Sequence, residues 1–144
     1  MRRFNKYKAK VAFHGTGLFD SKGERDFYQE LLLLQRAGKI GEIERQSRVY
    51  LSAAKIVSIV DFFCFDVESQ EWVYKEFKGI ETPVWRIKRR LWMHYGPGKL
   101  EVWKRRKNVF FLNEVIEPKQ CQECCAKCGE TLGLEKLETK EKQK

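Results

Sequence analysis

The chain has 144 residues, of which 42% are hydrophobic and 13% aromatic, enough for one folded domain with its own core. Its longest apolar run, about residues 56–65, is too short for a membrane span and contains Ser58 and Asp61. Nothing resembles a signal peptide. The sequence therefore predicts a cytoplasmic protein without a membrane partner, whose five cysteines are reduced or metal-bound.

The formal net charge of +9 predicts a polyanionic partner, and nucleic acid is the commonest polyanion in the cytosol. The basic residues form three clusters, two of them interleaved with aromatic residues, which suits phosphate contact and base stacking. Trp85 and Trp92 nevertheless lie on one helical stripe, which predicts core packing for both. The predicted phosphate contacts are Arg2, Arg3, Lys6, Lys8, Arg86, Lys88, Arg89, Arg90, Lys104, Arg105, Arg106 and Lys107.

A hairpin and a helix are the first predicted elements. Residues 9–19 have the pattern of a short strand or hairpin that turns at Gly15-Thr16-Gly17. Ser21 begins the helix as its N-cap, with Glu24 completing a capping box, and Gly38 ends it.

Five strands and a second helix follow. Three strands are predicted at residues 43–51, 56–65 and 72–78, then a helix from the Thr82-Pro83 cap to about Tyr95. Two more strands, at residues 100–103 and 108–115, are predicted on either side of a basic turn formed by residues 104–107.

This order predicts an α/β protein with a mixed sheet and an αβββαβ core over about residues 21–103. The folded domain is predicted over residues 1–118. A charged C-terminal extension over residues 119–144 is expected to follow it, because the composition changes after Pro118.

Two acidic residues on neighbouring strands give the clearest functional signal. The polar stretch 68–70 fits a hairpin loop, and a hairpin centred between Glu68 and Ser69 places Asp61 directly opposite Glu76. Like charges that face one another destabilise a sheet, so a cation is expected beside them. Lys78, two residues after Glu76, or a divalent metal ion would satisfy the pair.

Asp61 followed by Glu76-x-Lys78 resembles the signature of the PD-(D/E)xK nuclease superfamily, with Val60 in place of the name-giving proline. The likeness extends over the αβββαβ core and includes an acid on the preceding helix, Glu24. Within the superfamily, the motif Phe-Asp-Ser-Lys-x-Glu at 19–24 and a strand containing Gln46 are similar to small phage-encoded endonucleases. Relatives of those enzymes include dimeric Holliday-junction resolvases.

The resemblance implies an endonuclease that depends on Mg²⁺ or Mn²⁺. Asp61 and Glu76 are expected to hold the metal ion, with the Phe77 carbonyl and Glu24 as further ligands. Lys78 is expected to orient the attacking water. The predicted catalytic residues are therefore Glu24, Asp61, Glu76 and Lys78, because cutting a phosphodiester requires charge neutralisation, an activated water and a stabilised leaving oxygen.

Each of these residues also has a structural interpretation. Glu24 can simply complete the capping box, and Glu76 with Lys78 can form an ion pair on a solvated face. Gln46 is a candidate for contact with a metal-bound water or DNA, although a hydrogen-bonded strand glutamine is the simpler interpretation. Ser21 is expected to cap the helix, with a DNA backbone contact as the alternative.

Four cysteines in the extension form two adjoining pairs, Cys121 with Cys124 and Cys125 with Cys128. Each pair has the spacing of zinc ligands, but eight residues are cramped for wrapping one tetrahedral ion. Zinc shared with a second subunit and free thiols both stay open. Cys64, in a central strand, is expected to be a core residue.

The leading functional hypothesis is a homodimeric endonuclease that resolves branched DNA, such as a Holliday junction, during recombination. A two-fold dimer suits two symmetric cuts. Its expected place of action is a bacterial cytoplasm, as a bacterial or a phage protein. The alternatives are a transposon- or restriction-type endonuclease acting on linear duplex DNA, and a non-catalytic nucleic-acid-binding protein.

Overall fold

The computed structural model describes residues 12–14 and 17–119. The elements in that part of the chain are β1 (Ala12–His14), β2 (Gly17–Phe19), α1 (Lys22–Arg36), β3 (Ile40–Tyr50), β4 (Val57–Asp66), β5 (Glu71–Phe77), α2 (Pro83–Tyr95), β6 (Leu100–Arg106) and β7 (Val109–Ile116). From α1 to β6 the order is αβββαβ, which confirms the predicted α/β fold class.

A five-stranded mixed sheet with the order β3-β4-β5-β6-β7 forms the centre of the molecule. The strands β3, β4 and β5 are antiparallel neighbours, β5 and β6 are parallel, and β6 and β7 are again antiparallel. Two parallel neighbours need a crossover connection, which α2 provides. The strands β1 and β2 form the predicted hairpin ahead of α1.

The two helices cover opposite faces of the sheet. Tyr74 and Phe77 are three positions apart along β5, an odd offset, so their side chains point to opposite faces of the sheet. Phe77 stacks on Phe27 of α1 with ring centroids 6.0 Å apart, whereas Tyr74 meets the edge of Trp92 of α2 at 5.0 Å. The fold is therefore a three-layer arrangement with the sheet in the middle.

Two hydrophobic clusters form the core. The cluster beneath α1 contains Phe19, Phe27, Tyr28, Leu31, Ile40, Phe62 and Cys64. The cluster beneath α2 contains Val49, Leu51, Val60, Trp85, Trp92, Leu100, Val102 and Ile116. Val60 and Phe62 belong to different clusters, so Asp61 lies where the two meet. Burial of Trp85, Trp92 and Cys64 confirms their predicted core positions.

Local sequence signals set the ends of both helices. The Ser21 hydroxyl accepts a hydrogen bond from the Glu24 N–H at 3.0 Å, and the Thr82 hydroxyl accepts one from the Trp85 N–H at 3.1 Å. Gly38 follows α1 with φ of +73°, a left-handed conformation that glycine adopts without steric cost. The predicted helix boundaries are therefore confirmed.

Two predicted boundaries are wrong. The third strand begins at Ile40 rather than at residue 43, because it continues directly from the turn that ends α1. The predicted basic turn is shorter than expected, since Lys104, Arg105 and Arg106 belong to β6 and only Lys107 lies in the turn. Antiparallel pairing with β7 extends β6 by these three residues.

Several predicted functional residues lie outside the part of the chain that the structure describes. They are the basic residues Arg2, Arg3, Lys6 and Lys8 and the cysteines Cys121, Cys124, Cys125 and Cys128. Among the described residues, no helix has both the length and the apolar character needed to cross a membrane.

Candidate active site

The two predicted acids meet where β4 and β5 lie side by side. Phe62 pairs with Lys75, and continuing this register by one residue places Asp61 opposite Glu76. Hydrogen bonds join the two: the Asp61 N–H donates to Glu76 Oε2 at 3.0 Å, and the Phe77 N–H donates to Asp61 Oδ2 at 2.9 Å. The acids therefore have the relative position that the hairpin register predicts.

Lys78 completes this pair on the side of α2. Its Nζ lies 2.5 Å from Glu76 Oε1 and 4.6 Å from the ring centroid of Trp85. Glu76 is buried, while the Lys78 side chain remains 24% exposed. The ammonium group is thus held between a carboxylate and an aromatic face, with part of it open to solvent.

Glu24 reaches the same place from the first turn of α1. It is only 4% exposed, and both of its carboxylate oxygens accept hydrogen bonds, one from the Asp20 N–H at 3.2 Å and one from Gln46 Nε2 at 2.8 Å. The predicted capping box is therefore only half formed, because the Glu24 carboxylate bonds to Asp20 rather than to the Ser21 N–H. Because it does not bond to the Ser21 N–H, the Glu24 carboxylate can bond to Gln46 of the sheet instead.

A glycine allows α1 to approach the sheet this closely. A Cβ atom added to Gly23 would lie 2.3 Å from Cε1 of Phe77, closer than real Cβ contacts. Any other residue at this position would push the first turn of α1 away from β5. Gly23 therefore helps to bring Glu24 within reach of the two strand acids.

Gln46 occupies the matching position on β3. Arg45 pairs with Phe62 and Ser47 with Val60, so the register places Gln46 opposite Asp61. Gln46, Asp61 and Glu76 therefore lie in one row across three strands. The φ angle of Gln46 is +54°, in the left-handed region, and neither Gln46 nor Asp61 takes part in the β3–β4 pairing.

Burial and mutual repulsion shape the protonation of this cluster. Burial raises the pKa of Asp61 well above its ordinary value, and the neighbouring carboxylates of Glu76 and Glu24 raise it further. Burial also raises the pKa of Glu24. Burial alone would lower the pKa of Lys78, but the carboxylates of Glu76 and Asp61 outweigh it, so the net pKa is raised. The acidic side chains near Lys78 outnumber its one ammonium group, and the raised pKa values mean that full ionisation of Glu24 and Asp61 is disfavoured.

The donor atoms of the cluster fit a hard divalent cation, which binds carboxylate and carbonyl oxygens. Within residues 12–14 and 17–119, no three His, Cys, Asp or Glu side chains stand together as a ready metal-binding group. Lys78 forms an ion pair with Glu76 Oε1, and backbone N–H groups donate hydrogen bonds to one oxygen of Asp61 and one of Glu76. A metal ion bound at Glu76 would thus compete with Lys78 for this carboxylate.

The predicted phosphate contacts on α2 and β6 divide into paired and exposed residues. Arg89 forms an ion pair with Glu114, Lys104 with Glu81, and Arg105 with Asp26. Lys88 is half-buried and Ser21 serves as the helix cap. Arg86, Arg90, Arg106 and Lys107 are exposed, as is the ion-paired Arg105.

Sequence reasoning missed two parts of this site. Trp85 was expected only in the core, yet its ring also contacts the Lys78 ammonium. Gly23 gave a signal that could have been used, since glycine in the first turn of a helix costs stability unless close packing requires it.

Comparison with known proteins adds a family but no activity. A family model described as "Protein of unknown function (DUF1064)" matches residues 4–108, well over half of the chain. The matched segment contains Glu24, Gln46, Asp61, Glu76 and Lys78. A comparison with curated proteins gave no match.

Proposed function

The chain belongs to the DUF1064 family, whose function is unknown, and we propose that it is a metal-dependent endonuclease that hydrolyses phosphodiester bonds in DNA. The observation that carries the proposal is that hydrogen bonds and an ion pair join Asp61, Glu76 and Lys78, with Glu24 near enough for its charge to raise the pKa of Asp61. A cluster with perturbed pKa values and excess negative charge is typical of a functional site. The same residues carry the resemblance to the PD-(D/E)xK superfamily.

In this proposal Asp61 and Glu76 hold Mg²⁺ or Mn²⁺, with Glu24 and the Phe77 carbonyl as the further candidate ligands. The ion would neutralise phosphate charge and acidify a bound water. The reciprocal hydrogen bonds through the Asp61 and Phe77 N–H groups hold the two carboxylates in a fixed orientation.

Lys78 has a separate task in the proposed reaction. Once Glu76 binds a cation, the Lys78 ammonium is free to contact a phosphate oxygen or the attacking water. Trp85 limits where that ammonium can move, because the ring covers it on the α2 side. Such preorganisation of charge is a large contribution to catalysis of phosphate chemistry.

One observation favours a second candidate, a nucleic-acid-binding protein without activity. The Lys78–Glu76 ion pair and the two backbone hydrogen bonds already satisfy much of the cluster from within. Under this alternative the acids serve the fold; their replacement would alter stability, and neither wild type nor the variants would cleave DNA.

The proposed substrate is branched DNA such as a Holliday junction, bound in the cytoplasm by a homodimer. Exposed basic residues on α2 and at the β6–β7 turn support phosphate binding, and this binding would weaken steeply as the salt concentration rises. Exposed apolar residues on α2 and β7 support contact with a second copy; they include Val84, Ile87 and Val109. Light scattering should give twice the monomer mass, whereas a monomer at all concentrations would contradict the dimer.

The decisive experiment compares labelled four-way junction, Y-fork and linear duplex DNA, each with Mg²⁺ or EDTA. Wild type should cut the junction only with Mg²⁺, and Glu76→Gln should not cut it. Glu42→Gln, which changes an exposed β3 glutamate, is the matched control and should cut like wild type. No metal-dependent cutting of any substrate would remove the enzyme proposal, and equal cutting of linear and branched DNA would favour the linear-duplex endonuclease.

A further inference from the structure

Gln46 has a backbone conformation that is unusual for a strand residue. Its φ of +54° lies in the left-handed region, which residues other than glycine seldom occupy. Arg45 and Ser47 on either side keep the same register with β4, so the departure is confined to one residue. Such strain persists only where the surroundings impose it, and it occurs often at functional sites.

The contacts of Gln46 indicate what this conformation achieves. Although the side chain is exposed overall, its amide donates a hydrogen bond of 2.8 Å to Oε1 of the buried Glu24. The other oxygen, Oε2, is held by the Asp20 N–H. Glu24 is thus held from two sides, and the bond from Gln46 links it to β3 of the sheet.

The position of Gln46 in the sheet connects this bond to the rest of the cluster. By register Gln46 lies opposite Asp61, and the β3–β4 pairing omits both residues. The Asp61 N–H donates to the Glu76 carboxylate. The interruption at Gln46 therefore occurs in the row that contains Asp61 and Glu76, at the residue whose amide bonds to Glu24.

We propose that Gln46 is a positioning residue, whose left-handed backbone directs its amide to Glu24 and so holds that carboxylate beside Asp61 and Glu76. The inference rests on the proposed nuclease function and gives Gln46 a role in metal binding and turnover. It differs from the sequence-based interpretations of Gln46, which are contact with a metal-bound water or DNA and a merely hydrogen-bonded strand glutamine.

The test is Gln46→Gly in the full chain, because glycine accepts the left-handed backbone but has no amide. The midpoint of thermal unfolding should stay equal or rise, and junction binding in EDTA should change less than about twofold. Cleavage at limiting Mg²⁺ should fall about 10- to 100-fold, the usual cost of losing a group that orients a metal ligand. The Mg²⁺ concentration for half-maximal cleavage should rise.

A second pair of variants separates the amide from the backbone. Gln46→Asn tolerates the left-handed conformation but is one methylene too short, so it should show the same Mg²⁺ shift as Gln46→Gly. Gln46→Glu keeps the length but places a carboxylate against Glu24, and it should cleave less than either. Gln46→Asn also serves as the test if Gln46→Gly is too unstable to measure.

Three results would overturn the inference. Gln46→Gly or Gln46→Asn with wild-type cleavage and wild-type Mg²⁺ dependence would show that the amide is dispensable. A loss of junction binding in EDTA that matches the loss of cleavage would show a direct DNA contact. If wild type itself cuts no substrate, the proposed function fails and the inference fails with it, whereas indifferent Gln46 variants of an active enzyme remove the inference alone.

Discussion

Lys75 and Glu76 are neighbours in β5, yet they belong to two charged clusters on opposite faces of the sheet. Lys75 forms an ion pair with Glu101 beneath α1, and Trp103 Nε1 donates to the same Glu101 carboxylate at 2.9 Å. Glu76 faces Asp61 and Lys78 near α2. Each cluster contains a buried glutamate or lysine, an ion pair and a tryptophan ring near the ammonium group.

The two clusters differ in charge balance. The Lys75–Glu101 pair has one cation for one anion, and Lys75 is only 4% exposed. The other cluster has three carboxylates for one ammonium, and its Lys78 is partly open to solvent. A balanced buried pair needs nothing from outside the protein, whereas an unbalanced one favours an additional cation. The comparison therefore favours a structural role for the first cluster and supports the proposed function for the second.

The largest expected effect is on cleavage. Asp61→Asn and Lys78→Ala should each lower junction cleavage by roughly 10³-fold, because each would remove a group that the proposed mechanism places at the reacting phosphate. Junction binding should persist, since it depends on basic residues elsewhere. Single-turnover cleavage and a binding titration measure the two quantities; loss of binding by a folded variant would contradict this division of roles.

Changes to the balanced Lys75–Glu101 pair should affect the stability of the protein rather than cleavage. Lys75→Met leaves Glu101 buried without its cation and should lower the free energy of unfolding by about 3–5 kcal/mol. Adding Glu101→Leu should recover much of that loss, because the uncompensated charge is gone. Urea unfolding of the single and double variants measures this. A strong loss of cleavage in the stable double variant would place the pair in the active site after all.

Gly23→Ala tests whether the close packing of α1 on β5 positions Glu24 near Asp61 and Glu76. The added Cβ overlaps the Phe77 ring, so the variant should be destabilised by about 1–3 kcal/mol. Glu24 should move with the helix, and cleavage should fall even below the unfolding temperature. Gly79→Ala, where an added Cβ meets no atom within 4 Å, is the matched control. Equal behaviour of the two variants would exclude a role for close packing at Gly23.

The smallest expected effect is a pH dependence of stability in metal-free buffer. The folded-state pKa of Asp61 is raised by burial, so folded protein keeps a proton that the unfolded chain has lost. This contribution to stability is present below about pH 4 and is lost as pH rises towards the folded-state pKa. Asp61→Asn should remove it and be about 1 kcal/mol more stable than wild type at pH 7.

Urea unfolding of wild type and Asp61→Asn across pH measures the difference in their free energies of unfolding. The contributions of the other titrating groups are common to both proteins and drop out of this difference. Mg²⁺ should stabilise wild type at pH 7, since a ligand of the folded state opposes unfolding, and should stabilise Asp61→Asn much less. A constant difference between the two proteins at every pH would mean that folding does not raise the pKa of Asp61.

Local patterns predicted the elements well. The caps at Ser21 and Thr82 and the glycine at 38 are short-range signals, and they fixed both helices. The position of Asp61 opposite Glu76 also followed from the sequence, because a short hairpin loop leaves little freedom in register. The length of β6 did not, since pairing with β7 rather than local preference carries it past the basic residues.

The sequence by itself therefore determined the αβββαβ order and the pair of strand acids with their lysine, because both depend on contacts between residues near one another in the chain. Only the tertiary structure decided that Glu24 lies near the two strand acids and that the Gln46 backbone is left-handed with its amide bonded to Glu24. It also decided that the Trp85 ring covers Lys78. These contacts depend on how closely α1 and α2 approach the sheet. That approach is set by packing between residues such as Gly23 and Phe77, which are far apart in the chain.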